Sequence, residues 1–390
     1  MFFSISHDPK NNFIQSYNVG NLYINVDSGW NKKNIDNKIV IYKGYLDSYD
    51  IDQVLDMIIN QDRPSFTGNF CAIVYDPYNK LIHLKTDRYR SFPVYVNEFV
   101  EVTNLQKYDK VCWANNLISI DSDIKTYIST FNIIGVFNET SLSEEDAIKI
   151  IEKILIDRTR SFIQHNKLPI RVFLSGGVDS MLVYSYLQRF TDNYELCNYS
   201  HFEYDKFWML NSYEILKNNW GYKQIHHWTT PCIITSGTPG DEFMMRSPLT
   251  VDLFLKHYKI SMVDLLNDPK NISYMQHTYF NKPENYKIFE TRKINPNWSN
   301  RRMMLELCNI NINDFQHWHL GNTLTWTPLR DIEIFKTLLR LPPDILIKQI
   351  LDSSISMKLI ERNKPGLSKM VSKQKNSGNI MENLCGMLFT

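Results

Sequence analysis

The sequence has little that would tie it to a membrane, a metal cluster or a polyanion. No stretch approaches the roughly 18 consecutive apolar residues that a bilayer-spanning helix needs. The opening Met1-Phe2-Phe3-Ser4-Ile5-Ser6-His7-Asp8 turns polar too soon for a signal peptide. Together these absences predict a cytoplasmic protein with no membrane partner. The six cysteines, Cys71, Cys112, Cys197, Cys232, Cys308 and Cys385, are scattered and form no CxxC pair. Neither a disulfide framework nor a zinc site is therefore expected, and reduced thiols are the default. Charge of one sign is also missing: 43 basic and 42 acidic residues give a formal net charge of +1. Nothing in bulk electrostatics calls for nucleic acid or an anionic surface. Internal repeats and low-complexity tracts are absent as well. What is present is ordinary globular composition, with 390 residues, 43% hydrophobic and 22% charged. That is enough for two domains with apolar cores. A homodimer is compatible with this composition.

The first 130 or so residues read as strands. Ile39-Val40-Ile41-Tyr42 is a short apolar strand ending near Gly44, and Asn69 to Asp76 is another, closed by the turn Asp76-Pro77-Tyr78-Asn79. Leu81 to Lys85 alternates after that turn, as a hairpin partner should, and Pro93–Val96 and Val111–Ala114 are further strand candidates. Ile51, Val54, Leu55 and Ile58 have helical spacing. The pattern changes at Ser141-Leu142-Ser143-Glu144, which reads as a capping box. Ala147, Ile150, Ile151, Ile154 and Leu155 then follow as one apolar face of a long helix. From Ile170 onward strands and helices alternate, which favours a parallel sheet with crossover helices. The last third is mostly helical in pattern. The domain boundary falls near 135–142.

Ile170 to Leu174 is a short apolar strand, followed by Ser175-Gly176-Gly177-Val178-Asp179-Ser180 and the helical run Met181-Leu182-Val183-Tyr184. A strand, a glycine turn and a helix start make an anion cradle. The glycines let the backbone approach a phosphate, and the helix start supplies N–H groups and the positive end of its dipole. A carboxylate such as Asp179 belongs beside a phosphate when Mg²⁺ stands between them. The Gly-Lys-Ser/Thr of the Walker sequence is not here. The run instead resembles the PP-loop of the ATP pyrophosphatases, SGGxDS, which cleave ATP between its α- and β-phosphates and form adenylates.

Three further stretches extend that resemblance to the asparagine synthetase family, from about residue 40 to 366. Gly68 to Asp76 followed by Thr86 to Tyr95 is similar to the GxFAFxxYD…RDxxGxxPLYY signature of class II glutamine amidotransferases. Ser236-Gly237-Thr238-Pro239-Gly240-Asp241-Glu242 is similar to the SGxGxDE loop. Thr327-Pro328-Leu329-Arg330-Asp331, continuing through Leu341-Pro342-Pro343 to Arg362-Asn363-Lys364, is similar to RxPFLD…LP…RxK. The resemblance implies an α/β protein. An N-terminal Ntn-type αββα sandwich over residues 1–138 would precede a parallel-sheet PP-loop domain over 139–390, adenine nucleotide alpha hydrolase-like, with a helical C-terminal part. It implies an ATP-dependent ligase that adenylates a small-molecule carboxylate, releases pyrophosphate, and lets an amine displace AMP to leave an amide. ATP would lie on Leu174, Ser175, Gly176, Gly177, Asp179 and Ser180, with Ser236 and Gly237 on the nucleoside. Mg²⁺ would take Asp179 and Asp241. Asp179 and Lys364 would be the catalytic groups, Lys364 by steadying charge at the α-phosphate.

The chain departs from the family at defined places. The glutaminase nucleophile is an N-terminal cysteine exposed by Met removal, and here the second residue is Phe2. The earliest cysteine, Cys71, lies inside an apolar strand and reads as a buried structural thiol. The family's Asn-Gly-Glu segment aligns with Lys43-Gly44-Tyr45. The N-terminal half therefore resembles that of β-lactam synthetase, a scaffold without glutaminase chemistry, and the nitrogen donor would be ammonia or another amine. Thr238 stands three residues before Asp241, where asparagine synthetases carry Glu and β-lactam synthetase Tyr. Leu324 and Trp326 stand where the family usually has Glu and Arg. A rival second metal ligand is Asp264 or Asp268. His317-Trp318-His319 lacks a third metal ligand, and Arg301-Arg302 reads as a solvated helix start. Two other functions stay open: a PP-loop enzyme acting on a nucleobase, of the deazaguanine nitrile or amide synthase type, and a nucleotide-binding scaffold with a decayed active site.

Overall fold

The computed structural model describes residues 3–27, 29–46, 68–88, 94–97, 101–103, 110–112, 116–130, 136–174, 176–197, 232–237, 240–245, 301–302, 305 and 323–371. These residues form a mixed α/β structure with three sheets.

Two of the sheets are antiparallel and come from the N-terminal third. The first contains β1 (Phe3–Ser6), β2 (Gln15–Val19), β3 (Leu22–Val26), β8 (Val94–Asn97), β9 (Glu101–Thr103) and β10 (Lys110–Cys112), in the order β10-β8-β9-β1-β3-β2. The second contains β4 (Asn31–Ile35), β5 (Lys38–Leu46), β6 (Gly68–Asp76), β7 (Leu81–Thr86), β11 (Asn116–Ile120) and β12 (Thr126–Thr130), in the order β12-β11-β7-β6-β5-β4. The β6–β7 hairpin lies where alternation and the Asp76 turn predict it, with Ile73 opposite Leu84 and Cys71 opposite Thr86. Asp76 closes the turn by accepting from the Tyr78 and Asn79 N–H groups at 2.9 and 3.2 Å. Phe3, Ile5, Ile24 and Val26 of the first sheet join Ile41, Cys71, Ile73 and Leu84 of the second in one apolar core. Alternation along a strand directs these residues to one face of each sheet. The expected helix over 51–60 lies outside the described residues.

Helix α1 (Glu144–His165) opens the second half of the chain. Its cap falls two residues later than the Ser141 register predicts. The Ser143 hydroxyl, not Ser141, accepts from the Asp146 N–H at 3.1 Å. The reason is that the segment before it is already tied elsewhere: Leu142 N–H donates to the Arg340 carbonyl, and the Arg340 side chain donates to the Thr140 carbonyl. The buried face is correspondingly rotated, centred on Ala147, Ile148, Ile151, Leu155 and Phe162, with Ile150 and Ile154 half-buried.

The third sheet is parallel, with order β14-β13-β15-β16. It comprises β13 (Ile170–Phe173), β14 (Glu195–Cys197), β15 (Cys232–Thr235) and β16 (Thr323–Trp326). Helix α2 (Val178–Leu187) follows β13, and every one of its residues except Asp179 is buried. A helix apolar on all sides is packed on all sides, so α2 is a fixed internal element. Helices α3 (Ile332–Leu339), α4 (Pro343–Asp352) and α5 (Ser354–Asn363) complete the described chain, ending in a 3-10 turn at Leu367–Met370. Among the described residues no helix is long and apolar enough to cross a membrane.

Candidate functional site

Strand order places a crevice. From β13 the chain goes to one side of the sheet to make β14, and β15 returns to the other side of β13. That reversal is a topological switch point, and open parallel sheets bind ligands beyond the carboxyl ends of the strands there. The two segments flanking it are the glycine loops after β13 and after β15.

The first loop leaves β13 at Leu174, which is fully buried. Ser175 lies outside the described residues. Gly176 has φ +83°, in the left-handed region where a side chain is strained, so glycine is a backbone requirement here. Gly177 caps α2 with extended backbone, and its carbonyl accepts from the Met181 N–H at 3.0 Å and the Ser180 hydroxyl at 2.9 Å. Asp179 and Ser180 occupy the first turn, at the positive end of the helix dipole.

The second loop is pressed against that helix start. A Cβ on Gly237 would come within 2.4 Å of the Ser180 nitrogen and 2.6 Å of the Asp179 carbonyl carbon. A Cβ on Gly240 would meet the Asp179 Cβ at 2.7 Å and its Cγ at 2.8 Å. Neither glycine has positive φ, so space rather than conformation dictates both. The Gly240 N–H donates to the Gly237 carbonyl, and Met244 N–H donates to the Gly240 carbonyl at 2.7 Å. Ser236 and Gly237 are half-buried. Asp241 follows Gly240 directly, so its backbone lies one residue from the Asp179 carboxyl group. Its side chain, and all of Thr238, Asp264, Asp268, His317 and His319, lie outside what is described. Among the described residues no group of three His, Cys, Asp or Glu side chains could hold a metal ion.

A third segment follows β16. Leu329 reaches Gly240, its Cδ1 only 2.6 Å from where a Cβ would stand. The Thr327 hydroxyl accepts from Leu329 N–H at 3.3 Å, and Arg158 of α1 donates to the Arg330 carbonyl and pairs with Asp331 at 3.4 Å. Trp326 stacks on Phe162, centroids 3.9 Å apart. The residues that carried the resemblance after β13, β15 and β16 are thus brought to one edge of one sheet.

Lys364 is not among them. It caps the C-terminus of α5, exposed, with its Nζ donating to Gln188 Oε1 and 5.9 Å from the Tyr184 ring centroid. Gln188 lies nine residues beyond Asp179, and at the helical rise that is roughly 13 Å along the axis from the glycine loop after β13. Two residues that sequence reasoning missed hold the edge in place. One is Arg158. The other is Gln349, fully buried, whose amide donates to the Met244 carbonyl at 3.0 Å and whose oxygen accepts from Ile355 N–H at 2.8 Å. Neither sits in a motif. Arg301 is half-buried and donates to the Leu341 carbonyl at 3.2 Å, a packing role.

In the N-terminal sheets Lys43 is buried and pairs with Asp27 at 3.4 Å, and Trp30 Nε1 donates to the same carboxylate at 3.0 Å. Burial pulls the Lys43 ammonium below its ordinary value, with Asp27 opposing. Cys71 is fully buried, and burial, reinforced by the Asp87 charge, pushes its thiol well up. No protein-family model matches the chain, and no curated protein matches it at a significant level.

Proposed function

We propose that the protein is an ATP-dependent, amide-forming ligase that adenylates a small-molecule carboxylate and passes the acyl group to ammonia or another amine. The observation that carries this reading is the packing of Gly237 and Gly240 onto Asp179 and Ser180 at the switch point of the parallel sheet. A glycine loop at a helix start, with a second glycine loop closed upon it, suits the phosphates of a nucleotide. The donor set suits magnesium, a hard cation that takes carboxylate and phosphate oxygens. Asp179, with Asp241 next to Gly240, would hold the ion, and its charge would offset that on the departing pyrophosphate. The backbone at Gly176 and Gly177 and the first turn of α2 would hold the pyrophosphate, and Leu174, Ser236 and Gly237 would border the nucleoside. The substrate carboxylate oxygen bonds to the α-phosphorus as the α–β bridging bond breaks and pyrophosphate leaves. The amine then attacks the acyl carbon, AMP leaves, and the amine proton passes to solvent.

In this reading residues 139–390 are a PP-loop domain and residues 1–138 an Ntn-type domain without its nucleophile. Support for the second part is chemical. Lys43 stands at the aligned Asn-Gly-Glu segment and is committed to Asp27, and Cys71 is buried with a raised thiol pKa. Glutamine is therefore not the expected nitrogen source.

The position of Lys364 favours a second reading, a nucleotide-binding scaffold that does not turn over. One experiment separates the two. Purified protein with Mg²⁺ should exchange labelled pyrophosphate into ATP in the presence of a carboxylate from a broad panel, and Asp179→Ala should lose that exchange. ATP binding with no exchange on any carboxylate leaves the scaffold. Release of ADP and phosphate, or no ATP binding at all, refutes both.

A further inference from the structure

At the far end of α2 from the phosphate loop lies an open cavity of about 450 Å³, lined by Ser185, Gln188, Arg189, Arg362, Asn363 and Lys364. Its volume is that of a small-molecule site. Among the described residues its lining carries three cations and no carboxylate.

Of the three cations, only Arg362 has a carboxylate partner among the described residues. Arg362 pairs with Glu145 across to α1. Among the described residues Arg189 meets the Asn363 amide oxygen, at 3.4 Å. Lys364 meets the Gln188 amide oxygen and the face of Tyr184. Neither Arg189 nor Lys364 has a carboxylate partner among the described residues. Both amides are held with their oxygens towards the cations. Asn363 Nδ2 donates to the Ser185 carbonyl, and Gln188 Nε2 donates to the Tyr184 hydroxyl and, at 3.0 Å, to the Tyr194 hydroxyl.

Nor does the C-terminus of α2 call for Arg189 and Lys364 as caps. Positive side chains gather at helix C-termini when carbonyls there need donors. The last carbonyls of α2 are already served. Gln188 N–H donates to Tyr184 O at 3.1 Å, Asn363 Nδ2 to Ser185 O, Arg189 N–H to Tyr186 O at 3.2 Å, and Phe190 N–H to Leu187 O at 3.0 Å. Arg189 and Lys364 are like charges on one cavity and repel one another. An anion held between them removes that repulsion and adds charge-assisted hydrogen bonds.

We infer that this cavity is a binding site for a small anion presenting carboxylate or phosphate oxygens, separate from the ATP site and roughly 13 Å from it along α2. Arg189 and Lys364 bind the anion directly, and Arg362, steadied by Glu145, closes the side towards α1. The inference goes beyond the ligase reading and does not depend on it.

The test is calorimetric titration of the full-length protein with two probes, inorganic phosphate and citrate, which distinguish the two sources of the oxygens. At least one should bind at millimolar concentration or below, more weakly as salt is added. Arg189→Gln should weaken that probe about tenfold or more, the scale of a lost hydrogen bond to a charged group. Arg189→Lys should restore part of the loss, which a folding defect would not allow. Asp179→Asn should leave the affinity unchanged. The inference is overturned if neither probe binds, if Arg189→Gln binds as wild type does, or if Asp179→Asn removes the binding and so assigns the anion to the phosphate loop. Pyrophosphate exchange is read separately, so failure of the ligase reading leaves this outcome intact.

Discussion

Substituting alanine for Gly237 tests the arrangement on which the functional reading stands. An ideal Cβ there would lie 2.4 Å from the Ser180 nitrogen and 2.6 Å from the Asp179 carbonyl carbon, where ordinary contacts start at 3.4 Å. Two of the three nearest atoms are backbone, so no rotamer change relieves the clash. The two loops must part by about 1 Å, and overpacking of this kind costs roughly 1–3 kcal/mol. Because both loops border the proposed phosphate site, the same displacement should weaken ATP binding, and misplacement by about 1 Å can cost on the order of 100-fold in rate. Gly366→Ala is the control. Gly366 has φ +86° but, among the described residues, nothing within 4 Å of its Cβ position. Its replacement carries conformational strain of roughly 1–2 kcal/mol and leaves the loops alone. Thermal melts and calorimetric titration with ATP and Mg²⁺ on both variants give the answer. Gly237→Ala should lose stability and nucleotide affinity together, Gly366→Ala stability only. A Gly237→Ala protein with wild-type affinity would refute the contact between the loops, and with it the site.

Three further outcomes follow from the geometry. Burial pushes the Lys85 ammonium down to about 8, against the pull of Asp87, while the unfolded chain holds its proton up to 10.5. The unfolded state then binds more protons between those values, so stability should rise with pH across that window. The penalty at neutral pH is on the order of 3 kcal/mol. Lys85→Met should flatten the rise in urea melts taken from pH 7 to 10, and an unchanged slope counts against the buried charge. Arg158→Met breaks a pair whose side chains are only 10% and 15% exposed and removes the donor to the Arg330 carbonyl. A loss of roughly 2–4 kcal/mol is expected in denaturant melts, and a change below the scatter would mean that α1 does not hold the segment after β16. Iodoacetamide should label Cys71 in native protein no faster than global opening allows, given its burial and raised thiol pKa. Rapid native labelling, located by peptide mapping, would make it a reactive thiol.

Local signals were legible where local physics decides. The β6–β7 hairpin needed only alternation and the Asp76 turn, both written within twenty residues of chain. The loop Gly176-Gly177 and the helix after it were equally plain, because Gly176 answers a backbone angle that few other residues tolerate. The cap of α1 was misread by two residues because the decision came from elsewhere: Arg340, two hundred residues away, ties down Thr140 and Leu142. The switch point was not legible at all. It depends on β15 pairing with β13 rather than with β14, a long-range choice that no local pattern encodes. Gln349 was hidden for a related reason. Its role is to satisfy a carbonyl and two N–H groups at a junction of three segments, and glutamine in a helix announces nothing.

The distance of Lys364 from the proposed phosphate loop constrains any role it plays there. A lysine's four-carbon stem is much shorter than the roughly 13 Å of helix that separates Gln188 from Asp179. A change of rotamer is not enough, so the backbone at Lys364–Gly366 would have to move. That turn is held by the Glu361 carboxylate, which accepts from the Gly366 N–H at 3.0 Å and from the Ser368 hydroxyl. Movement therefore means breaking those bonds as well as the contacts with Gln188 and Tyr184. The glycine loop after β13 has no such demand, because Gly237 and Gly240 already close on Asp179. The proposed nucleotide binding would thus need little reorganisation of the described residues, whereas lysine-assisted adenylation would need a defined one. This is why ATP affinity and pyrophosphate exchange have to be measured apart: in the proposed function the first would report the packed glycine loops, the second a turn that would have to leave its place.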